Sequence, residues 1–110
     1  PHSMNMVNMA KNNKPIIIDF YADWCIPCKE LDKFTFTDEN VINESRNFVT
    51  LKADMTHFQS DETNLLREKY NIKGVPTIVF ISAAGEELGD LRLVGFEDAE
   101  EFLERMKSGL

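Results

Sequence analysis

The chain has 110 residues, enough for one hydrophobic core and too short for two ordinary ones. Hydrophobic residues make up 43% and charged residues 28%, the balance of a globular domain, and a formal net charge of −7 leaves no basic stripe to neutralise phosphates, which argues against nucleic-acid binding. No window reaches the roughly 18 consecutive apolar residues that a membrane span needs.

Pro1-His2-Ser3-Met4 lacks a charged-then-apolar signal pattern and reads as a vector remnant. Residues 4–13 set Met4, Met6, Val7, Met9 and Ala10 among polar neighbours and are expected to form a short helix ending before Lys14-Pro15. Residues 1–13 are therefore taken as remnant plus N-terminal helix, and the folded domain is expected over 14–110. Ile16 to Tyr21 is a continuous β-branched and aromatic run, the pattern of a strand buried on both faces. A helix is expected over Lys29–Phe36, with Leu31 and Phe34 at helical spacing; Thr37-Asp38 then caps a second piece carrying Val41 and Ile42.

Phe48 to Asp54 reads as a second strand, and Ser60-Asp61-Glu62 supplies the cap and acidic first turn of a helix bearing Leu65, Leu66 and Tyr70. Asn71 to Gly74 ends that helix. Thr77–Ile81 is a third strand, Ala84-Gly85-Glu86 a hairpin turn and Leu88–Val94 a fourth strand. Glu97-Asp98 opens a last amphipathic helix with Ala99, Phe102, Leu103 and Met106 on one side. Helical crossovers make the first two strands parallel and the hairpin makes the last two antiparallel, so the fold class is α/β: a mixed four-stranded sheet with helices on both faces.

The only cysteines, Cys25 and Cys28, fall where the first strand hands over to a helix. A bridge across so short a loop constrains little of the unfolded chain, so a structural staple is a poor reading. A metal site needs two more ligands, and the only histidines are His2, in the remnant, and His57, alone in a polar stretch. A redox pair is the leading reading, with no metal and no cofactor. Asp19 interrupts an otherwise apolar buried strand, where an isolated carboxylate is costly unless paired or protonated.

Four landmarks then occur in order on this β/α pattern: Asp19 six residues before Cys25, the segment Trp24-Cys25-Ile26-Pro27-Cys28-Lys29, Gly74-Val75-Pro76-Thr77 entering a strand, and Gly95 closing the hairpin. Together they resemble the thioredoxin superfamily over nearly all of residues 14–107. Within it, Phe20-Tyr21-Ala22-Asp23-Trp24-Cys25, Cys28-Lys29-Glu30, Phe34-Thr35-Phe36 and Val94-Gly95-Phe96-Glu97-Asp98-Ala99 are similar to stretches of the C-terminal periplasmic domain of thiol:disulfide interchange proteins of the DsbD family. Lys33 stands where typical thioredoxins carry a proline five residues after the second cysteine, and Ile26-Pro27 departs from the more usual proline-free dipeptide of DsbD domains.

The resemblance implies a thioredoxin fold and a protein-disulfide reductase. Cys25, at a helix start where free N–H groups and the dipole favour a thiolate, is the expected nucleophile; Cys28, one turn further in and more buried, is the expected resolving thiol. Asp19 is expected beneath Cys28, helping to move its proton. Asp32, four residues after Cys28, either tunes the thiols or is a solvated surface aspartate. Trp24 and Ile26 are expected to shape the contact surface, although Trp24 also suits a core position. Val75-Pro76 matches the family's cis-proline loop, with Val75 offering its backbone to an extended substrate. Phe96 either joins that surface or packs under the last helix. The partners implied are protein disulfides and a membrane electron-donor domain of the same parent protein, with the chain a monomeric domain tethered at the periplasmic or extracytoplasmic face. The alternatives are a free-standing thioredoxin-like reductase or cytochrome-maturation protein, including a cytoplasmic one, a non-catalytic binding module and a metal-binding module.

Overall fold

The computed structural model describes residues 14–110, so the helix expected over 4–13 lies outside the described residues. β1 (Ile16–Tyr21) is the spine. Period-two alternation sends Ile16, Ile18 and Phe20 to one face, where they pack with Met55, Ile72, Val79 and Ile81, and sends Ile17 to the other, against Leu31, Phe80, Phe102 and Met106. The sheet order is β2-β1-β3-β4, with β2 (Val49–Asp54) parallel to β1 and β3 (Thr77–Ile81) antiparallel to it. β1 and β3 are central and almost wholly apolar. β2 lies on the edge and alternates, Val49, Leu51 and Ala53 packing inward while Thr50, Lys52 and Asp54 face out.

The fourth strand is shorter than the Leu88–Val94 expected: β4 (Leu93–Val94) pairs with β3, and before it β3 is met by an isolated bridge from Glu87 to Ile81 and by the Leu88 N–H donating to the Phe80 carbonyl at 2.7 Å. Gly89 and Asp90, poor strand formers, instead enter a 3-10 turn over Gly89–Leu91, which lays Leu88 and Leu91 on the core. Arg92 fixes the segment through a forked pair with Glu87 and a 2.7 Å bond to the Tyr70 carbonyl.

The helix after the cysteines also differs. α1 (Ile26–Glu30) starts with Pro27 in its first turn, then widens into a π-helical turn over Leu31–Thr35, closed by the Phe36 N–H donating to the Leu31 carbonyl at 2.8 Å. The wide turn rotates Phe34, expected on the core stripe, out to 57% exposure beneath the Lys33 ammonium, and Thr35 takes the core position. α2 (Glu39–Ser45) is capped by Asp38 and anchored by Val41; α3 (Asp61–Tyr70) is capped by Ser60 and ends at Asn71 in the left-handed region. α4 (Ala99–Ser108), capped by Asp98, places Phe102 and Met106 in the core.

The register positions the site. Phe20 faces Thr77 and Thr77 faces Val94 across antiparallel pairs. The segment leaving β1, the segment entering β3 and the segment leaving β4 therefore all emerge at one end of the sheet.

Candidate active site

Cys25 caps α1 and is disulfide-bonded to Cys28. The Cys28 N–H donates to the Cys25 sulfur at 3.2 Å, so a backbone dipole already points at the atom that carries charge when the pair is reduced. Cys28 was expected to be the more buried, and this is not so: Cys25 is 3% exposed and Cys28 4%. The bridged cysteines form one small apolar cluster with Ala22, against which Tyr21 and Val75 pack.

Val75 comes from the segment entering β3, and the Val75–Pro76 peptide is cis. The Pro76 carbonyl accepts the Gly95 N–H at 3.1 Å, which ties this segment to the one leaving β4; Gly95 has φ 95°, a conformation glycine adopts without strain. Around the bridge, Trp24, Ile26 and Phe96 are exposed, Phe96 at 44%. Phe96 thus lies on the surface and not under the last helix, and Trp24 is not a core residue.

Trp24 is nonetheless held. Its indole N–H donates to the Thr56 carbonyl at 3.1 Å, its ring meets Phe58 edge-on at 6.0 Å, and the Thr56 hydroxyl accepts the Asp23 N–H at 2.9 Å while bonding the Asp54 carboxylate. Thr56 and Phe58, on the loop after β2, were not singled out from sequence. The contact spans more than thirty residues, and no local pattern carries it.

Asp19 is buried, and its Oδ1 has no hydrogen-bond partner among the described residues. Its carboxyl is raised from 3.8 to about 6, chiefly by burial; the Lys52 ammonium pulls it down and Asp32 pushes it up. Lys52 lies opposite Asp19 in the β1–β2 register, 4.0 Å from its carboxylate and 3.3 Å from that of Asp32, with its ammonium 4.7 Å from the Tyr21 ring centroid. The three charged groups line one cleft of about 270 Å³, walled by Ile17, Val41 and Phe102. Asp32, about half exposed, is brought to Asp19 through Lys52. Lys52 was missed because the sequence shows an alternating strand but not which face it turns to Asp19. Among the described residues no group of three or more His, Cys, Asp or Glu side chains could hold a metal ion, and no helix is long and apolar enough to cross a membrane.

The family described as a thioredoxin-like domain matches residues 3–109. The thiol:disulfide interchange protein DsbD of Yersinia pestis (strain Pestoides F) is 41% identical over 95 residues, which cover 86% of this chain and 16% of that protein. The chain thus spans about one sixth of the length of the curated relatives it matches. The reduced form of the Neisseria meningitidis DsbD C-terminal domain superposes with a TM-score of 0.85 at 28% identity, covering 99% of this chain and 94% of that one. The oxidised form of that domain gives a TM-score of 0.82 at the same identity, covering 99% and 93%.

Proposed function

The chain belongs to the thioredoxin-like family, and from that premise we propose that it is a thiol–disulfide oxidoreductase that relays electrons as the outward-facing terminal domain of a DsbD-type protein. The observation that carries the reading is the Cys25–Cys28 bridge lying against the cis Val75–Pro76 segment, beside the exposed apolar side chains of Trp24, Ile26 and Phe96. A relay exchanges electrons with two partners in turn, and a small apolar surface serves both through weak, reversible docking.

In the reduced domain the Cys25 thiolate attacks one sulfur of a partner disulfide. A Cys25–partner bond forms, the partner's S–S bond breaks, and the displaced sulfur leaves as a thiolate. The Cys28 thiol then loses its proton, for which the raised Asp19 carboxylate is a matched acceptor, and attacks Cys25. The Cys25–Cys28 bridge forms, the partner leaves as a dithiol, and two electrons have passed to it. Lys52 and Asp32 set how readily Asp19 takes that proton. A dithiol of a membrane domain of the same parent protein returns the electrons, which places this domain at the periplasmic or another extracytoplasmic face. The 41% identity to a DsbD protein of which the chain covers 16% supports a place within a longer parent protein.

The test compares the reduced domain's rate toward other domains of its parent protein with its rate toward insulin and oxidised glutathione. Selective, fast reduction of a parent-protein domain supports the relay. Equal rates toward generic disulfides make it a free-standing thioredoxin-like reductase, and no reduction of any of them makes it a binding module.

A further inference from the structure

We propose that Thr35 is a positioning residue that locks the catalytic helix to the loop carrying Phe96, so that both sides of the docking surface move as one body. Thr35 is fully buried, and its hydroxyl donates to the Glu97 carbonyl at 2.6 Å across 62 residues of sequence. A hydrophobic residue would fill the same space, and a buried hydroxyl is kept at a desolvation cost that only a good hydrogen bond offsets. Its partner is itself fixed from the far side. The Glu97 carboxylate accepts a forked pair from Arg105 at 2.8 and 2.7 Å, and Arg105 also donates to the Leu91 carbonyl at 3.0 Å.

These contacts close a ring. From the Cys25–Cys28 bridge the path runs to Val75, packed against it, then from the Pro76 carbonyl to the Gly95 N–H, along Phe96 to Glu97, and through Thr35 back into the helical run that begins at Cys25. The cysteine side and the Phe96 side are joined twice, through Val75 and through Thr35. The π-helical turn is what delivers Thr35 inward, since the same turn exposes Phe34. Without the Thr35 bond, the Phe96 side would be joined to the cysteine side by the Val75 route alone, and a partner would have to order it on binding.

The inference rests on the reading of Trp24, Ile26, Val75 and Phe96 as the docking surface. Insulin serves as the protein disulfide and 5,5′-dithiobis(2-nitrobenzoate) as a small one that needs no docking. Thr35→Val, close to isosteric, should raise KM for insulin about fivefold or more, the size of one lost hydrogen bond. kcat, the reduction potential and the rate with the small disulfide should stay within twofold of the parent. Thr35→Ser should restore KM. Arg105→Lys, which loosens Glu97 while leaving Thr35 in place, should raise KM in the same way, and it keeps the test decisive where Thr35→Val does not fold. Backbone amide exchange at residues 95–97 should quicken in both loosened variants. An unchanged insulin KM in Thr35→Val, or in Arg105→Lys if the former is unfolded, overturns the tether, as does an equal loss toward both disulfides. Phe96→Ala separates the layers: an unchanged KM there removes the docking surface itself, whereas a raised KM beside a normal Thr35→Val removes the tether alone.

Discussion

Replacing Asp19 by Asn in the disulfide form should stabilise the protein at neutral pH and slightly destabilise it in acid. The native carboxyl binds its proton more tightly than the unfolded one, with a pKa of about 6 against 3.8, so between those values the native state holds more protons. Stability then falls as pH rises through that window, and the penalty is fully present above it. At about 1.36 kcal/mol per pH unit, the interval corresponds to roughly 3 kcal/mol at pH 7.5. A buried amide in place of the acid still meets an unsatisfied site, so a net gain of about 2 kcal/mol is the realistic figure. The assay is urea unfolding of oxidised parent and variant at pH 3.5 and pH 7.5 without reductant, which keeps the cysteines out of the titration. The variant should be about 1 kcal/mol less stable than the parent at the lower pH and about 2 kcal/mol more stable at the higher. An equal difference at both pH values would refute the reasoning, because the effect would then be packing and not ionisation.

Lys52→Met should raise the Asp19 pKa above about 6 and Asp32→Asn should lower it, since Lys52 pulls it down and Asp32 pushes it up; carboxyl carbon chemical shifts followed through a pH titration read both, and shifts of the same sign would contradict this electrostatic account. Cys28→Ser should accumulate mixed disulfides through Cys25 whereas Cys25→Ser should accumulate few, a difference visible on a non-reducing gel. Pro76→Ala should depress turnover with a protein disulfide more than it moves the reduction potential, measured by equilibration with glutathione buffers. Arg105→Ala should cost about 1–2 kcal/mol in thermal or urea unfolding at pH 7, because it leaves the partly buried Glu97 carboxylate without its forked partner.

The sequence carries those parts of the fold that depend on short periodicities. The apolar run of β1, the strand ending at Asp54, the caps at Asp38 and Ser60, the last helix opening after Glu97-Asp98, and the strand-to-helix junction holding the cysteines all have local causes, and all are found where expected. The departures have non-local ones. Leu88 and Leu91 look like strand residues because they are apolar, yet a turn serves their burial as well as a ladder does. Phe34 looks like core by spacing, but the π-helical turn gives its place to Thr35, whose partner lies 62 residues away. Lys52 joins Asp19 only through strand register, which a single strand's pattern does not specify. Trp24 is held by Thr56 and Phe58, residues with no motif of their own.

The π-helical turn at Leu31–Thr35 also bears on how this chain tolerates changes in length. A π turn is an α-helix that has absorbed one extra residue, so this stretch carries a surplus residue that an ordinary helix would lack. Removing one residue between Leu31 and Thr35 would let the helix close regularly with its flanks in phase, but the residues left within the turn would be reassigned to different faces. Asp32 or Thr35, depending on where the cut falls, would then lose its facing partner, Lys52 or Glu97. The local backbone would gain regularity while the turn lost a contact that ties it to the rest of the molecule. In this segment residue count acts as a functional parameter, and a single deletion should be harsher than most substitutions at the same positions.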